Sequence, residues 1–466
     1  MRRIIGFMRL SACLIVKDEE STLERCLAGL RPVADDIVVV DTGSQDNTKR
    51  LAVSCGARVF DFAWSQDFSA ARNFALQHAK QPWILVCDAD EVLDAADYSE
   101  LGRLVGSQRV DGFDITIRNY FTSPSFSVME KVAVPNTSSY ITGREYPYYV
   151  DHGLLRVFRN DPRIRFSGRV HETVGRTFVS HGLRMEKSSL VLHHFGKTLL
   201  DREERKKVLY LHLAELKLRE EPSDLKSLFD YAIQLFVAKR YPECVDAFER
   251  LRQTSPLESE MVYVYLARAY LALENYSEAL TSAKQALRLN GNNPLTLCTM
   301  GMAWQGLHGL SEATAAYQRA AELAPNLADP FIGFSNVAWL TNRGEESLAH
   351  LRVAVSHDPD NLEIVELLAA RLVSSRHYQE ALPYCHRLID RQPSANTDRW
   401  FVFLALYYHQ SGDIDKAMKV VNRGLAIFSS HSRLASLKSR LFSSVASTPR
   451  LPLEPSEQVK ACCKVS

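Results

Sequence analysis

Short apolar runs alternate with amphipathic segments through the first hundred residues. The runs at 10–16, 37–40 and 84–87 each end at polar residues, and the segments between them have the spacing of helices. Continuous apolar runs of this length are typical of strands buried on both faces of a parallel sheet. Because helical segments separate them, the pattern predicts an α/β domain with a mostly parallel sheet over residues 1–200.

A different pattern, with a period of about 34 residues, fills the second half of the chain. A small residue recurs at one position of each unit and lets two antiparallel helices cross closely. These small residues are Cys244, Ala279, Ala313, Ser347, Ala381 and Ala417. Prolines that would end the second helix of a unit recur at Pro256, Pro325, Pro359 and Pro393. The units resemble tetratricopeptide repeats, so we predict an all-α solenoid.

The two patterns define the predicted domains. A charged amphipathic helix at 201–224 is expected to link the sheet domain to the repeats. The repeats, with a polar-faced capping helix at their end, are predicted to span 225–446. The proline-containing residues 447–466 are predicted to be a flexible tail.

Composition and charge narrow the class of protein. The formal net charge is only +1, which gives no general attraction to nucleic acid or to an anionic membrane. No apolar stretch approaches the length of a membrane-spanning helix, and the nine cysteines include no Cys-x-x-Cys pair. We therefore predict a cytoplasmic protein with reduced thiols, without a transmembrane segment and without a nucleic-acid partner.

The candidate chemistry is concentrated where the run at 84–87 meets Asp88-Ala89-Asp90. Ligands of parallel sheets bind at the carboxyl ends of the strands. If the strand continued through Asp90, its two-residue period would direct both carboxylates to one face, where they could bind a divalent cation. The alternative is a strand-to-helix turn in which Asp90 or Asp94 caps a helix.

Four motifs in this order resemble the nucleotide-binding half of glycosyltransferase family 2, inverting enzymes of the GT-A fold. They are Val16-Lys17-Asp18-Glu19-Glu20, Val40-Asp41-Thr42-Gly43-Ser44, Ala71-Arg72-Asn73 and Val86-Cys87-Asp88-Ala89-Asp90. The resemblance implies a nucleotide-sugar site. Its implied residues are Val16, Glu19, Asp41, Arg72, Asp88 and Ala89. It further implies Mg²⁺ or Mn²⁺ on Asp88 and Asp90, since a metal neutralises the departing diphosphate.

Later motifs resemble the subgroup that contains sublancin-type peptide S-glycosyltransferases and some cell-envelope sugar transferases. They are Arg156-Val157-Phe158-Arg159, Gly168-Arg169-Val170-His171-Glu172 and His194-Phe195-Gly196. We predict His194 as a third metal ligand or a phosphate contact, because imidazole binds Mn²⁺. A structural role for His194, capping a linker turn, stays open.

An inverting transferase needs a base within reach of the acceptor proton. The predicted catalytic residues are His171 and Glu172, with Asp151 and His152 behind them. The alternatives are structural: a hydrogen-bonded core histidine at His171, and a salt bridge from Glu172 to Arg156 or Arg169.

The sequence thus predicts a metal-dependent inverting glycosyltransferase that moves a hexose, from UDP by family resemblance, to a peptide or protein. A cysteine thiol is an attractive acceptor, because a thiol is more acidic than an alcohol. The alternatives are a sugar transferase of envelope polysaccharide assembly and a non-catalytic repeat adaptor. The repeats could hold the acceptor peptide, pair two subunits as a homodimer, or only stabilise the sheet domain.

Overall fold

A computed structural model describes residues 9–124, 127–128, 131–196, 200–254, 258–391 and 397–444. The predicted tail at 447–466, the last residues of the predicted cap, Pro256 and Pro393 lie outside these ranges. The chain divides into two compact units between Gly309 and Leu310, within the helical half. The domain boundaries derived from the sequence stay predictions.

Eleven strands are present in the described part of the first unit. They are β1 (Leu10–Val16), β2 (Asp36–Asp41), β3 (Arg58–Asp61), β4 (Trp83–Val86), β5 (Glu91–Leu93), β6 (Gly112–Phe121), β7 (Ser127–Val128), β8 (Lys131–Val132), β9 (Val134–Pro135), β10 (Tyr148–Arg159) and β11 (Met185–His194). Nine of them form one sheet in the order β3-β2-β1-β4-β10-β6-β11-β5, with β9 beside β10. The remaining two, β7 and β8, pair as a small separate ribbon.

The sheet is parallel on one side and mixed on the other. β3, β2, β1 and β4 are parallel, and every residue of β2 and β4 is buried, as continuous apolar runs require. β10 then inserts antiparallel between β4 and β6, while β11 lies parallel to β6 and antiparallel to β5. The GT-A-like α/β fold predicted from the sequence is confirmed.

The helices of the first unit cover the sheet and then continue as hairpins. They are α1 (Leu23–Leu30), α2 (Thr48–Ser54), α3 (Phe68–His78), α4 (Tyr98–Val105), α5 (Gly175–Ser180), α6 (Leu200–Glu220), α7 (Leu225–Val237), α8 (Tyr241–Thr254), α9 (Glu260–Ala272), α10 (Tyr276–Leu289) and α11 (Pro294–Gly306), with a 3₁₀ turn at Ala95–Asp97. From α6 to α11, each helix packs on the next one along the chain.

The second unit is entirely helical in its described part. Its helices are α12 (Leu310–Leu323), α13 (Asp329–Leu340), α14 (Gly344–His357), α15 (Leu362–Ser374), α16 (Tyr378–Arg391), α17 (Asp398–Gln410), α18 (Ile414–Ile427) and α19 (Ser432–Ser444). α12 and α14 end just before Pro325 and Pro359, as predicted. All six small residues of the repeat are fully buried in their respective units. The tetratricopeptide-like arrangement is therefore confirmed.

None of the helices in the described ranges combines the length and the apolar character that crossing a bilayer would need.

Candidate functional site

The carboxyl ends of β1 and β2 hold the first group of predicted site residues. Asp41 is buried, and its Oδ1 accepts hydrogen bonds from the backbone N–H groups of Gly43 and Ser44, both at 2.9 Å. Its Oδ2 is buried without a hydrogen-bond partner among the described residues. Val16, at the end of β1, is buried and accepts from the backbone N–H of Thr42 through its carbonyl. Asp41 therefore keeps one acceptor atom for a ligand.

Glu19 lies in the turn that follows β1. Its Oε2 accepts a hydrogen bond of 2.7 Å from the hydroxyl of Thr22, the residue that precedes α1. The Glu19 carboxylate is therefore held at the same edge of the sheet as Asp41.

Asp88 lies between two arginines. Its Oδ1 accepts from Nη2 of Arg72 at 2.7 Å, and its Oδ2 accepts from Nη2 of Arg156 at 2.9 Å. Burial alone would raise the pKa of Asp88, but Arg156 and Arg72 hold it well below the usual range of a carboxyl group. Because both oxygens are engaged, Asp88 is a poor metal ligand in this arrangement.

The strand itself ends earlier than the sequence suggested. β4 stops at Val86, and a turn follows in which the backbone N–H of Glu91 donates to the carbonyl of Asp88 at 3.0 Å. The expectation of an extended segment through Asp90 is wrong, because the Glu91 side chain accepts from the Asp88 N–H at 2.8 Å and stabilises the turn. Asp88 and Asp90 therefore have different partners. The capping alternative holds for Asp94, whose side chain accepts from the N–H of Ala96.

Arg72 connects Asp88 to the predicted catalytic pair. Its side chain is buried on α3, and its Nε donates to Oε1 of Glu172 at 2.6 Å. The expected pairing of Glu172 with Arg156 or Arg169 is wrong: Arg156 binds Asp88, and Arg169 binds Glu220. The third guanidinium nitrogen, Nη1 of Arg72, is buried without a partner among the described residues. It is a donor suited to an anionic or carbonyl oxygen of a ligand.

Asp90 and His194 come together across the pairing of β5 with β11. Oδ2 of Asp90 lies 3.5 Å from Nε2 of His194. Gly196 leaves this place open, because a Cβ on it would lie 2.3 Å from Asp90 Oδ2 and 2.7 Å from His194 Nε2. Ala89 is buried beside Asp90. Burial alone would lower the pKa of His194, but the carboxylates of Asp90, Glu91 and Asp88 together raise it above its ordinary value.

A hydrogen-bonded chain fixes the orientation of His194. Its Nδ1 donates to Oδ1 of Asn119 at 2.7 Å, and Nδ2 of Asn119 lies 2.9 Å from Nδ1 of His152. Burial lowers the pKa of His152 to about 4, so the ring is neutral near pH 7 and its Nδ1 accepts. In this arrangement His194 directs Nε2 towards Asp90.

His171 and His193 contact other groups and not Asp90. His171, with a φ of 52°, directs its ring to the helices: its Nε2 lies 3.1 Å from Nε2 of Gln234 on α7. The buried His193 binds the hydroxyl of Tyr120 through Nδ1, at 2.7 Å, and so faces away from Asp90.

Sequence reasoning missed Asn119 as a site residue and considered Arg156 only as a partner of Glu172. Asn119 carried no local signal, because its role depends on the parallel pairing of β6 with β11, which places it opposite His194. Arg156 belongs to a motif, Arg156-Val157-Phe158-Arg159, that could have been assigned to Asp88.

A divalent cation fits Asp90 and His194 better than Asp88. A carboxylate oxygen and an imidazole nitrogen face each other there, and Gly196 places no side chain of its own against them. In the part of the chain that the structure describes, no three His, Cys, Asp or Glu side chains gather as a metal site. The protein would thus supply two ligands, and the other positions suit phosphate oxygens and water, as Mg²⁺ prefers.

Two families match parts of the chain. Residues 11–163 match Glycosyl transferase family 2, and residues 261–293 match the tetratricopeptide repeat. The family predicted for the sheet domain and the repeats predicted after it are both confirmed.

Three curated relatives illustrate the likeness. A TPR repeat-containing protein of Synechococcus elongatus is 37% identical over 166 residues, which are 36% of this chain and 35% of that protein. The SPbeta prophage-derived glycosyltransferase SunS of Bacillus subtilis is 23% identical over 242 residues, 51% of each chain. The lipopolysaccharide core biosynthesis glycosyltransferase LpsC of Rhizobium meliloti is 34% identical over 126 residues, 25% of this chain and 45% of that protein. This chain spans about half or less of each relative.

Proposed function

We propose that this protein is an inverting glycosyltransferase that moves a hexose from a nucleotide-sugar, with UDP as the first candidate, to a polypeptide. One observation carries the proposal. In a family 2 domain, two of the buried atoms that have no hydrogen-bond partner among the described residues, Asp41 Oδ2 and Arg72 Nη1, are an acceptor and a cationic donor. A nucleoside diphosphate offers both complementary groups, an N–H and an anionic oxygen.

Some of these residues would bind the nucleotide-sugar, and others would orient the residues that bind it. Asp41 and Glu19 accept hydrogen bonds from the nucleoside, and Arg72 donates to the diphosphate. Asp88 orients Arg72 from one side and Glu172 from the other, at 2.7 and 2.6 Å. Asp90 and His194 would hold Mg²⁺ or Mn²⁺, which supplies charge neutralisation for the departing diphosphate when bound.

The general base is proposed to be His171 or Glu172, as the motifs implied. A thiol acceptor would reduce the demand on either residue, because a cysteine has a pKa of about 8.5 and an alcohol a far higher one. A weak base would then be sufficient. This matters because both candidates already form hydrogen bonds within the protein, Glu172 with Arg72 and His171 with Gln234.

The acceptor is proposed to be a polypeptide because tetratricopeptide repeats follow the sheet domain. A second candidate, a saccharide of the cell envelope, is favoured by the likeness to the lipopolysaccharide core enzyme LpsC.

The test measures release of nucleotide from a panel of UDP- and GDP-sugars with Mg²⁺, with Mn²⁺ and with chelator. We expect metal-dependent hydrolysis of one donor, abolished by Asp90→Ala. A matched control, Asp94→Ala, removes a nearby carboxylate that accepts only from the backbone N–H groups of Ala96 and Thr142 among the hydrogen bonds of the described residues, and it should keep the activity. If no donor is hydrolysed and no nucleotide binds with metal, the transferase proposal is wrong and the repeat adaptor takes its place.

A further inference from the structure

The loop at residues 167–173, which carries Glu172, is built onto the first helices that follow the sheet. A pair of backbone hydrogen bonds between Ser167 and Thr173 closes the loop. At its centre, Val170 is buried against Leu213 and Ala214 of α6. The apolar contact of the loop therefore includes α6, a helix that follows the sheet, in addition to Trp64 and, at the start of α3, Phe68.

Polar contacts tie the same loop to α6 and α7. Arg169 forms a two-point ion pair with Glu220, with N–O distances of 2.8 and 2.5 Å. His171 contacts Gln234, which is itself buried on α7. The three successive residues before Glu172, namely Arg169, Val170 and His171, are thus held by groups from these helices.

Beneath the loop lies a buried ion pair. Nζ of Lys217 on α6 lies 2.8 Å from Oδ2 of Asp230 on α7, and both side chains are almost fully buried. Gly168, at a φ of 101°, packs directly on this lysine, since a Cβ there would lie 3.2 Å from Lys217 Nζ. Removal of one partner of such a pair leaves the other buried charge poorly compensated, so a change at Lys217 disturbs the place on which Gly168 packs.

We infer that Lys217 and Asp230 are positioning residues for nucleotide binding, which act through the loop and Glu172 on Arg72. Glu172 holds Nε of Arg72, and the direction of Nη1 of the same guanidinium, which has no partner in the described part of the chain, depends on that contact. A loop that shifts by about 1 Å would misdirect this donor. The inference rests on the proposed function, because it assigns Arg72 to the nucleotide.

The chain offers a matched pair of variants. Lys226, like Lys217, lies 2.8 Å from Oδ2 of Asp230, but its side chain is 42% exposed and is not among the atoms nearest to Gly168. Lys217→Met and Lys226→Met each remove one cation from the same carboxylate. Only Lys217→Met removes the group that supports Gly168.

The first measurement is amide hydrogen exchange of residues 167–173 in the full chain, without nucleotide. We expect Lys217→Met to speed exchange of the Ser167 and Thr173 amides roughly tenfold, because their mutual hydrogen bonds open more often. Lys226→Met should leave it within about twofold. Equal exchange in the two variants would overturn the inference, whether or not the protein binds a nucleotide.

The second measurement is the Kd of UDP and of GDP with Mg²⁺. We expect Lys217→Met to weaken binding roughly tenfold and Lys226→Met to leave it unchanged. In a Glu172→Gln background, Lys217→Met should cause little further loss, since both changes act on one path. Unchanged affinity in Lys217→Met, or fully additive losses, would refute the positioning role. If the wild type binds neither nucleotide, the proposed function fails, and the exchange measurement alone decides the role of Lys217.

Discussion

Replacement of Gly196 by alanine tests whether Asp90 and His194 act together. The new Cβ would lie 2.3 Å from Asp90 Oδ2, whereas ordinary contact of a Cβ begins at 3.4 Å, so the carboxylate must move by about 1.1 Å. The φ of Gly196 is not in the left-handed region, so alanine adds no backbone strain. A displacement of 1 Å at a reacting centre can cost about a hundredfold in rate. We therefore expect kcat/KM for sugar transfer to fall roughly a hundredfold.

The assay compares Gly196→Ala with Gly291→Ala, whose Cβ would meet nothing closer than 3.7 Å. Transfer is measured by nucleotide release, and Mn²⁺ affinity by electron paramagnetic resonance of the free ion. Both readouts should fall in Gly196→Ala, while its thermal unfolding stays close to that of Gly291→Ala. Wild-type transfer together with wild-type Mn²⁺ affinity in Gly196→Ala would refute the assignment of Asp90 and His194 to one cation.

Three further predictions concern stability. Asp88→Asn leaves two buried guanidinium groups poorly paired, so urea denaturation should show a loss of about 3 kcal/mol, against less than about 1 kcal/mol for Asp90→Asn; equal losses would contradict the structural role of Asp88. Burial raises the pKa of Asp97 from 3.8 to about 6, so the folded protein keeps Asp97 protonated at pH values at which the unfolded chain loses that proton. The contribution of protonated Asp97 to the unfolding free energy is therefore complete below pH 3.8 and disappears as the pH rises through 6. Relative to Asp97→Asn, wild-type unfolding free energy should therefore fall by about 2–3 kcal/mol over that range, and parallel pH profiles would exclude this. In the repeats, Ala381→Leu overfills a fully buried position and should cost about 1–3 kcal/mol in thermal unfolding, whereas the exposed Ala349→Leu should be nearly neutral.

The parallel half of the sheet could be predicted because its information is local. The apolar runs at 10–16, 37–40 and 84–87 coincide within two residues with β1, β2 and β4. Each run buries both faces, so composition alone identifies it. The repeats were equally accessible, because one small buried residue per unit, such as Ala279 or Ala381, fixes their period.

The mixed half of the sheet could not be predicted, because its pairings join distant parts of the chain. β10 pairs with β4 across about seventy residues, and β11 pairs with β5 across about a hundred. Nothing within either strand specifies its neighbour, since an exposed or half-buried strand fits several edges. The partners of Asp88 and His194 could not be predicted for this reason, because Arg156 comes from β10 and Asn119 comes from β6.

The same topology explains why two carboxylates that are adjacent in a motif take different roles. Asp88 follows β4, beside which β10 delivers Arg156, so its oxygens are engaged by cations of the protein. Asp90 precedes β5, beside which β11 delivers His194. A short turn between the two strands thus separates a carboxylate that orients arginines from one that faces an imidazole. The spacing of the motif does not by itself assign these two roles, because they depend on two long-range strand pairings. Variants of Asp88 should therefore mainly lose stability, and variants of Asp90 should mainly lose metal-dependent activity.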